Sequence, residues 1–302
     1  MKLSVLSMMV LLVGAPVVGR AQDIDTDYQN LKDAVAKGDV ETVKKLAADT
    51  DVLAKKAAAE PAPASADDKD NWTKRVAYGK EVDEYTEYAL YAVALKSPPA
   101  GMVELIGALE AQNPKSKYLN DGYASYLAAL GQTGASAKIP GIAEKALTNF
   151  PENPDLLYFA AENARSTKQN DKALAYANRL MAALGKQTKP EGMADADFAK
   201  RKGAMMGEGY RIAGVVEAEK GQWVPADKNL RVALPSVSGT LKAEVLFQLG
   251  LANYNYGKMT MNKAKILEAA KFSDDCAALT SPYADQAYKN STLMKAEAGK
   301  MR

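Results

Sequence analysis

Apolar residues recur along most of the chain at the three- and four-residue spacing of an amphipathic helix. Between Asp25 and Lys56 this spacing predicts two short helices, with Gly38 and Asp39 in the turn that separates them. The spacing continues from Trp72 almost to the end of the chain. Along this stretch, proline or glycine interrupts it roughly every 15 to 20 residues. The sustained alternation of Val, Ile and Thr that would predict strands is nearly absent. The pattern therefore predicts an all-α protein.

A change in composition divides this helical pattern. Residues 22–56 form the predicted N-terminal helical pair, and residues 57–71 are rich in Ala, Pro and Asp without apolar periodicity. Such a composition predicts an extended, mobile linker. Residues 72–302 are predicted to form a single domain of helix pairs.

The first 21 residues have the pattern of a signal peptide. Lys2 precedes an apolar run over residues 3–18, and Gly19-Arg20-Ala21 provides small residues where a signal peptidase reads them. The run is short for a membrane helix and contains Gly14 and Pro16, so a retained anchor is the less favoured alternative. No later stretch reaches the roughly 20 apolar residues of a membrane span. We expect cleavage after Ala21 and a periplasmic or secreted protein.

Two segments near the C-terminus repeat one another. Residues 210–221 and 246–257 each begin with a bulky residue, followed by a glycine four positions later and another seven beyond that. The copies are offset by 36 residues and place Gly214 with Gly250 and Gly221 with Gly257. The first copy continues into a second apolar helix face that contains Ala226, Leu230 and Ala233.

Gly214, Gly221, Ala226 and Ala233 match the tetratricopeptide repeat pattern in register, and the chain resembles that family from Val82 to Leu279. The resemblance implies stacked helical hairpins that form a right-handed superhelical solenoid with a concave groove. The approximate repeats are 82–115, 116–153, 154–187, 207–240 and 243–280, followed by a capping helix over 282–298. Residues 186–206 do not fit the period and are interpreted as an insertion or an extended helix.

Small side chains explain how such hairpins could form. Gly214 and Gly250 would allow the two helices of a hairpin to approach closely, whereas Leu230, Leu246 and Leu249 would fill the space to the next hairpin. One hairpin cannot bury both of its faces, so neighbouring hairpins stack.

The composition argues against several kinds of chemistry. The chain has no His and one Cys, which removes the usual general base and the thiolate metal sites. Cys276 is predicted to be a core residue. Adjacent acids, such as the pairs Glu217/Glu219 and Asp274/Asp275, are predicted to be solvated helix surface. We expect no catalytic residue, cofactor or metal.

The charge balance gives no reason to expect nucleic acid or anionic lipid as a partner. The chain has 39 basic and 37 acidic residues, and loss of the first 21 residues, which include Lys2 and Arg20, would leave 37 of each.

In tetratricopeptide proteins the first helix of each hairpin lines the concave groove. The resemblance therefore implies a mixed aromatic, acidic and Arg-containing surface suited to a peptide or a partner helix. This predicted groove face consists of Tyr118, Asp121, Ser125, Asp155, Tyr158, Glu162, Arg165, Glu208, Arg211, Val215, Glu244, Phe247, Leu251 and Tyr254.

Three functions remain compatible with the sequence. The favoured one is a non-enzymatic protein-interaction module or scaffold of the cell envelope. The second is a spacer that associates with itself in an envelope complex, and its oligomeric state would distinguish it. The third is a carbohydrate-active helical enzyme, which is disfavoured because only Trp72 and Trp223 could supply a Trp-rich cleft.

Overall fold

The computed structural model describes residues 23–190 and 192–301, so the predicted signal peptide lies outside the described residues. These ranges contain thirteen α-helices and two 3-10 turns and no β-strand, which confirms the all-α prediction. The helices are α1 Ile24–Lys37, α2 Val40–Ala58, α3 Lys69–Ala94, α4 Pro99–Gln112, α5 Lys117–Gln132, α6 Ile139–Ala146, α7 Pro154–Ser166, α8 Asn170–Lys186, α9 Asp195–Glu219, α10 Trp223–Ala233, α11 Gly239–Met259, α12 Lys263–Ala277 and α13 Ala284–Lys300.

The chain divides into two compact units near residue 89, within α3. In the first unit, α1 and α2 form a hairpin around Gly38, which has φ +69°. Asp39 begins α2, and its carboxylate accepts a hydrogen bond from the Thr42 amide at 3.2 Å. The two short helices thus begin and end close to their predicted positions.

The segment predicted as a linker is shorter than expected and is held at one point. Helix α2 continues through the helix-favouring alanines to Ala58, which leaves residues 59–68 outside the helices. The backbone oxygen of Glu60 accepts the indole N–H of Trp72 at 2.8 Å. Its carboxylate accepts two hydrogen bonds from Arg75, at 2.8 and 2.9 Å. Glu60 therefore joins the start of this segment to α3.

A pair of carboxyl groups couples α2 to α3 in the same unit. Burial is the main cause that raises the pKa of Asp83 to about 6. The hydrogen bond between Asp83 and Asp51 and the negative charges of Asp51 and Glu87 raise this pKa further. Lys55 opposes this shift, and its ammonium lies 2.8 Å from Asp51 Oδ1. Asp83 therefore binds a proton more tightly in the folded unit than in the unfolded chain.

We predict that this unit loses stability as the pH rises from 3.8, the ordinary pKa of an Asp, to about 6. Asp83→Asn should remove this dependence and stabilise the unit at neutral pH, because it removes the ionised form. Hydrogen exchange of the α2 and α3 amides across this range measures the effect. The matched control is Glu81→Gln, an exposed acid two residues earlier. The same pH dependence in both variants would contradict the prediction.

In the second unit the helices pack in consecutive pairs, and three hairpins share one turn geometry. Helices α7–α8, α9–α10 and α11–α12 are connected through Lys168, Gly221 and Met261, with φ of +59°, +72° and +50°. In each turn the next amide donates to the carbonyl five residues earlier, at 2.8, 2.8 and 2.7 Å. This is the Schellman closure of a helix.

The α7–α8 and α9–α10 hairpins also have equivalent core positions, counted from their turns. The turn residues Lys168 and Gly221 are 53 residues apart in sequence, and so are the equivalent residues of the two hairpins. Both members are buried in four such pairs, which are Ala161 and Gly214, Ala173 and Ala226, Ala177 and Leu230, and Leu180 and Ala233. The two hairpins are therefore built on one packing pattern, and the extra residues between them lie in residues 187–194 and in the long N-terminal half of α9.

The turns correct one detail of the sequence alignment. Gly221 is the left-handed turn residue of its hairpin, whereas Gly257 lies inside α11, which continues to Met259. The equivalent of Gly221 is therefore Met261, and the pairing of Gly221 with Gly257 is wrong. The reason is that α11 continues for about one further helical turn before it ends.

Gly214 and Gly250 nevertheless both lie in the first helix of a hairpin, pressed against the second helix. A Cβ on Gly214 would be 2.6 Å from Leu230 Cγ and 3.1 Å from the Leu230 amide nitrogen. A Cβ on Gly250 would be 2.7 Å from Ser273 Oγ. Both approaches are closer than a Cβ allows, which confirms the predicted role of these two glycines.

We predict that Gly214→Leu separates α9 from α10 and lowers the free energy of unfolding by about 3 kcal/mol, through overpacking. Thermal and urea melts measure the loss. Gly203→Leu is the matched control, because Gly203 lies in the same helix with open space where its Cβ would be. Equal melts for Gly214→Leu and the wild type would refute this packing.

Candidate functional site

Five charged side chains from three helices meet on one face of the second unit. The Arg211 guanidinium on α9 donates to Glu208 Oε2 and to Glu244 Oε2 of α11, both at 2.7 Å, and also to the Glu162 carboxylate of α7. Arg165 of α7 donates to Glu162 at 3.0 Å and to Glu244 at 3.2 Å. These five residues, called the ionic cluster below, all belong to the predicted groove face.

Helix spacing and hairpin stacking together build the ionic cluster. Glu162 and Arg165, like Glu208 and Arg211, are three residues apart and therefore lie on the same side of their helix. Because α7, α9 and α11 are the first helices of successive hairpins and contact one another, the pairs meet across helices. The Arg211 side chain is only 1% exposed, while the other four retain 10 to 22% exposure. The ionic cluster thus consists of one fully buried guanidinium and four partly accessible side chains that surround it.

The ionic cluster has more negative than positive groups, since three carboxylates surround two guanidiniums. Burial raises the pKa of Glu208, and the charge of Glu244 raises it further, while Arg165 opposes the shift. The surplus negative charge is consequently held in a poorly solvated position.

Two tyrosines flank the ionic cluster. Burial raises the pKa of Tyr158, and the negative charge of Glu208 acts in the same direction. Burial likewise raises the pKa of Tyr283, to which Glu244 contributes. The Tyr283 ring lies 5.2 Å from that of Phe247. The hydroxyl groups of both tyrosines are therefore near the carboxylates of the ionic cluster.

An apolar crevice adjoins the ionic cluster between α5, α6 and α7. Its volume is about 520 Å³, and most of its wall is apolar. The Phe159 ring packs edge-to-face on Tyr158, with 5.1 Å between their centroids. Glu162 belongs both to this wall and to the ionic cluster. The residues that define the crevice, called the α5–α7 crevice below, include Leu127, Ala128, Ile139, Pro140, Phe159 and Glu162.

Sequence reasoning missed the α5–α7 crevice because its walls come from three helices. The one available signal was Phe159, a large apolar residue directly after the groove-face residue Tyr158.

The predicted groove-face residues on α5 and at the start of α7 lie apart from the ionic cluster. Tyr118 is half-buried and stacks on Tyr91 with 5.4 Å between the ring centroids. Asp121 is exposed and Ser125 is half-buried. Asp155 accepts a hydrogen bond from Arg201 at 3.4 Å.

Asp121 borders a second, more polar cavity of about 810 Å³. The polar groups of its wall bind one another: Asn153 donates to the Asn120 backbone oxygen at 2.8 Å, and Lys186 pairs with Glu152 at 2.5 Å.

The remaining predicted residues differ in accessibility. Val215 is 1% exposed and packs in the core, so it presents no surface to a guest. Phe247 and Leu251 are half-buried. The Tyr254 hydroxyl donates to Glu297 of α13 at 2.8 Å.

Two groups considered for catalysis occupy core positions. Cys276 is buried as predicted, and burial alone, without its neighbouring acids, raises the pKa of its thiol to about 11. Glu217 is only 8% exposed and accepts a hydrogen bond from Asn229 at 2.7 Å, so its assignment to solvated surface was wrong.

Asp274, in contrast, is exposed, and its carboxylate accepts hydrogen bonds from Ser291 at 2.5 Å and Lys295 at 2.9 Å.

The described residues contain no group of three or more acidic, His or Cys side chains arranged to hold a metal ion. Within the same residues, no helix is both long and apolar enough to cross a bilayer.

Comparison with protein-family models, with curated proteins and with solved structures finds no match to this chain.

We predict that Arg211→Met lowers the stability of the second unit by about 3 to 5 kcal/mol, because three half-buried carboxylates lose a shared cation. The loss should shrink in acid, where the carboxylates bind protons. Urea melts at neutral and acidic pH measure both effects.

Arg201→Met is the control, since Arg201 lies on the same helix in a more exposed ion pair with Asp155. It should lose less than about 1 kcal/mol. An equal loss in the two variants would show that the ionic cluster has no special role.

Proposed function

We propose that this protein is an exported, non-enzymatic protein-binding module of tetratricopeptide-like type that acts as a scaffold in the cell envelope. In this proposal the first helices of its hairpins form a groove that binds a peptide or a segment of a partner protein. The observation that carries the proposal is the meeting of charged side chains from the first helices of three successive hairpins on one face.

The repeated packing supports the tetratricopeptide-like part of the proposal. The left-handed turn residues Gly134 and Lys168 are 34 residues apart, the period of that repeat. Small buried residues recur at fixed distances from the turns at Lys168 and Gly221, with Ala161 and Gly214 before them and Ala173 and Ala226 after them. An array of such hairpins is expected to curve and to leave an extended surface for a guest.

The chemistry of the face supports binding rather than catalysis. Catalysis by paired carboxylates requires two acids that face each other across a cleft, one of them desolvated and unpaired. In the ionic cluster, Glu162, Glu208 and Glu244 each accept hydrogen bonds from a guanidinium. Charged groups with aromatic neighbours are well suited to orient a peptide.

The test is affinity capture from a cell-envelope extract with the protein lacking residues 1–21. Tyr158→Ala and Tyr254→Ala should each capture less of the partner, because each removes an aromatic contact from the groove face. Tyr288→Ala is the matched control, since Tyr288 lies on α13 and is 68% exposed. Thermal melts must show that each variant is folded. Equal capture by all folded variants would refute the groove assignment.

Self-association remains a second candidate, supported by the last helix. Helix α13 exposes Tyr288 (68%) and Leu293 (52%), whereas the final helix of a capped array normally has a polar outer face. Sedimentation over a range of concentrations tests this candidate. Concentration-dependent oligomers that Leu293→Lys abolishes would support it, and a monomer at all concentrations would refute it.

A further inference from the structure

We propose that the groove face selects a basic peptide segment, which places an Arg or Lys beside Glu208 and Glu162 and an apolar side chain in the α5–α7 crevice. This inference rests on the proposed binding function and specifies the chemistry of the guest.

Charge complementarity provides the first argument. The ionic cluster contains three carboxylates and two guanidiniums, and Glu162 and Glu208 keep 22% and 19% of their side-chain surface accessible. A cation from a guest would neutralise the surplus negative charge, whereas an acidic guest would increase it. In this half-buried position the attraction is stronger than at an open surface, because water screens it less.

The flanking aromatic surface strengthens this argument. Tyr158 precedes Glu162 by four residues on α7, so the ring and this carboxylate lie on the same side of the helix. An Arg or Lys that approaches Glu162 would therefore have an aromatic ring nearby as well as a carboxylate, and both interactions favour a cation.

The geometry links the basic position to an apolar one. Glu162 follows Phe159 by three residues on α7, so their side chains are neighbours, about 5–6 Å apart at Cβ. Alternate residues of an extended peptide are about 6.6 Å apart and point to the same side. A guest in extended conformation can therefore place an apolar side chain against Phe159 and, two residues along, a basic side chain at the ionic cluster. The expected motif is apolar-x-basic.

The probe is a phage-displayed library of random peptides, panned against the full chain lacking residues 1–21. We expect the enriched peptides to contain an apolar residue two positions from an Arg or Lys. A labelled synthetic copy of the most enriched peptide is then titrated into the wild type and variants by fluorescence polarisation.

Glu208→Gln should weaken binding about tenfold and reduce its dependence on salt. This variant leaves two carboxylates with two guanidiniums, so the charges of the ionic cluster become balanced and the fold should survive. Asp197→Asn is the matched control, because it removes an exposed acid from the same helix and should leave binding unchanged.

The apolar contact is tested by Ala128→Trp, which fills the α5–α7 crevice from an exposed position without removing any core side chain. It should also weaken binding about tenfold.

Enrichment of acidic or uncharged peptides would overturn this inference without contradicting the proposed binding function. Equal affinity of Glu208→Gln and the wild type for the peptide would also overturn the inference and would not contradict the binding function. Failure to enrich any peptide would also overturn it, while capture from the envelope extract decides the binding function independently.

Discussion

The fold of the second unit depends on how closely the two helices of each hairpin can approach. At Gly214 and Gly250 the facing helix occupies the space that a Cβ would need. Alanines such as Ala173 and Ala226 are fully buried at other positions between helices, and their small side chains also allow a close approach. Close hairpins bring successive first helices into contact, and only then can residues as far apart in sequence as Glu162 and Glu244 share one guanidinium. The ionic cluster can therefore form only when the helices pack this closely.

The ionic cluster in turn connects three helices, and under the proposed function it would also contact the guest. Arg211 is bonded to carboxylates from α7, α9 and α11, so a shift of any one helix would break a charged hydrogen bond. The same carboxylates retain the accessible surface that a guest would need. A substitution here must consequently be judged by stability and by binding together, and Glu208→Gln is informative because it makes acids and guanidiniums equal in number.

Periodicity alone predicted the helices, the hairpins and the face of each first helix. The misplaced pairing of Gly257 instead of Met261 with Gly221 shifts the alignment by four residues, close to one full helical turn, so residues of α11 stay on nearly the same side of the helix. Sequence reasoning could not predict that Arg211 and Glu217 are buried, because their burial depends on neighbouring helices. It also missed the α5–α7 crevice and the Asp51–Asp83 pair, which form where separate helices cross.

The locked position of Arg211 affects how a guest would bind. Long charged side chains normally lose rotamer freedom when a complex forms, and this ordering reduces affinity. In the ionic cluster, the buried Arg211 guanidinium already holds Glu162 and Glu208, the two carboxylates proposed to contact a guest, so much of their freedom is lost on folding. A bound segment would have to immobilise mainly its own residues, so preorganisation of the host would favour discrimination among short peptides even when the contact area is small.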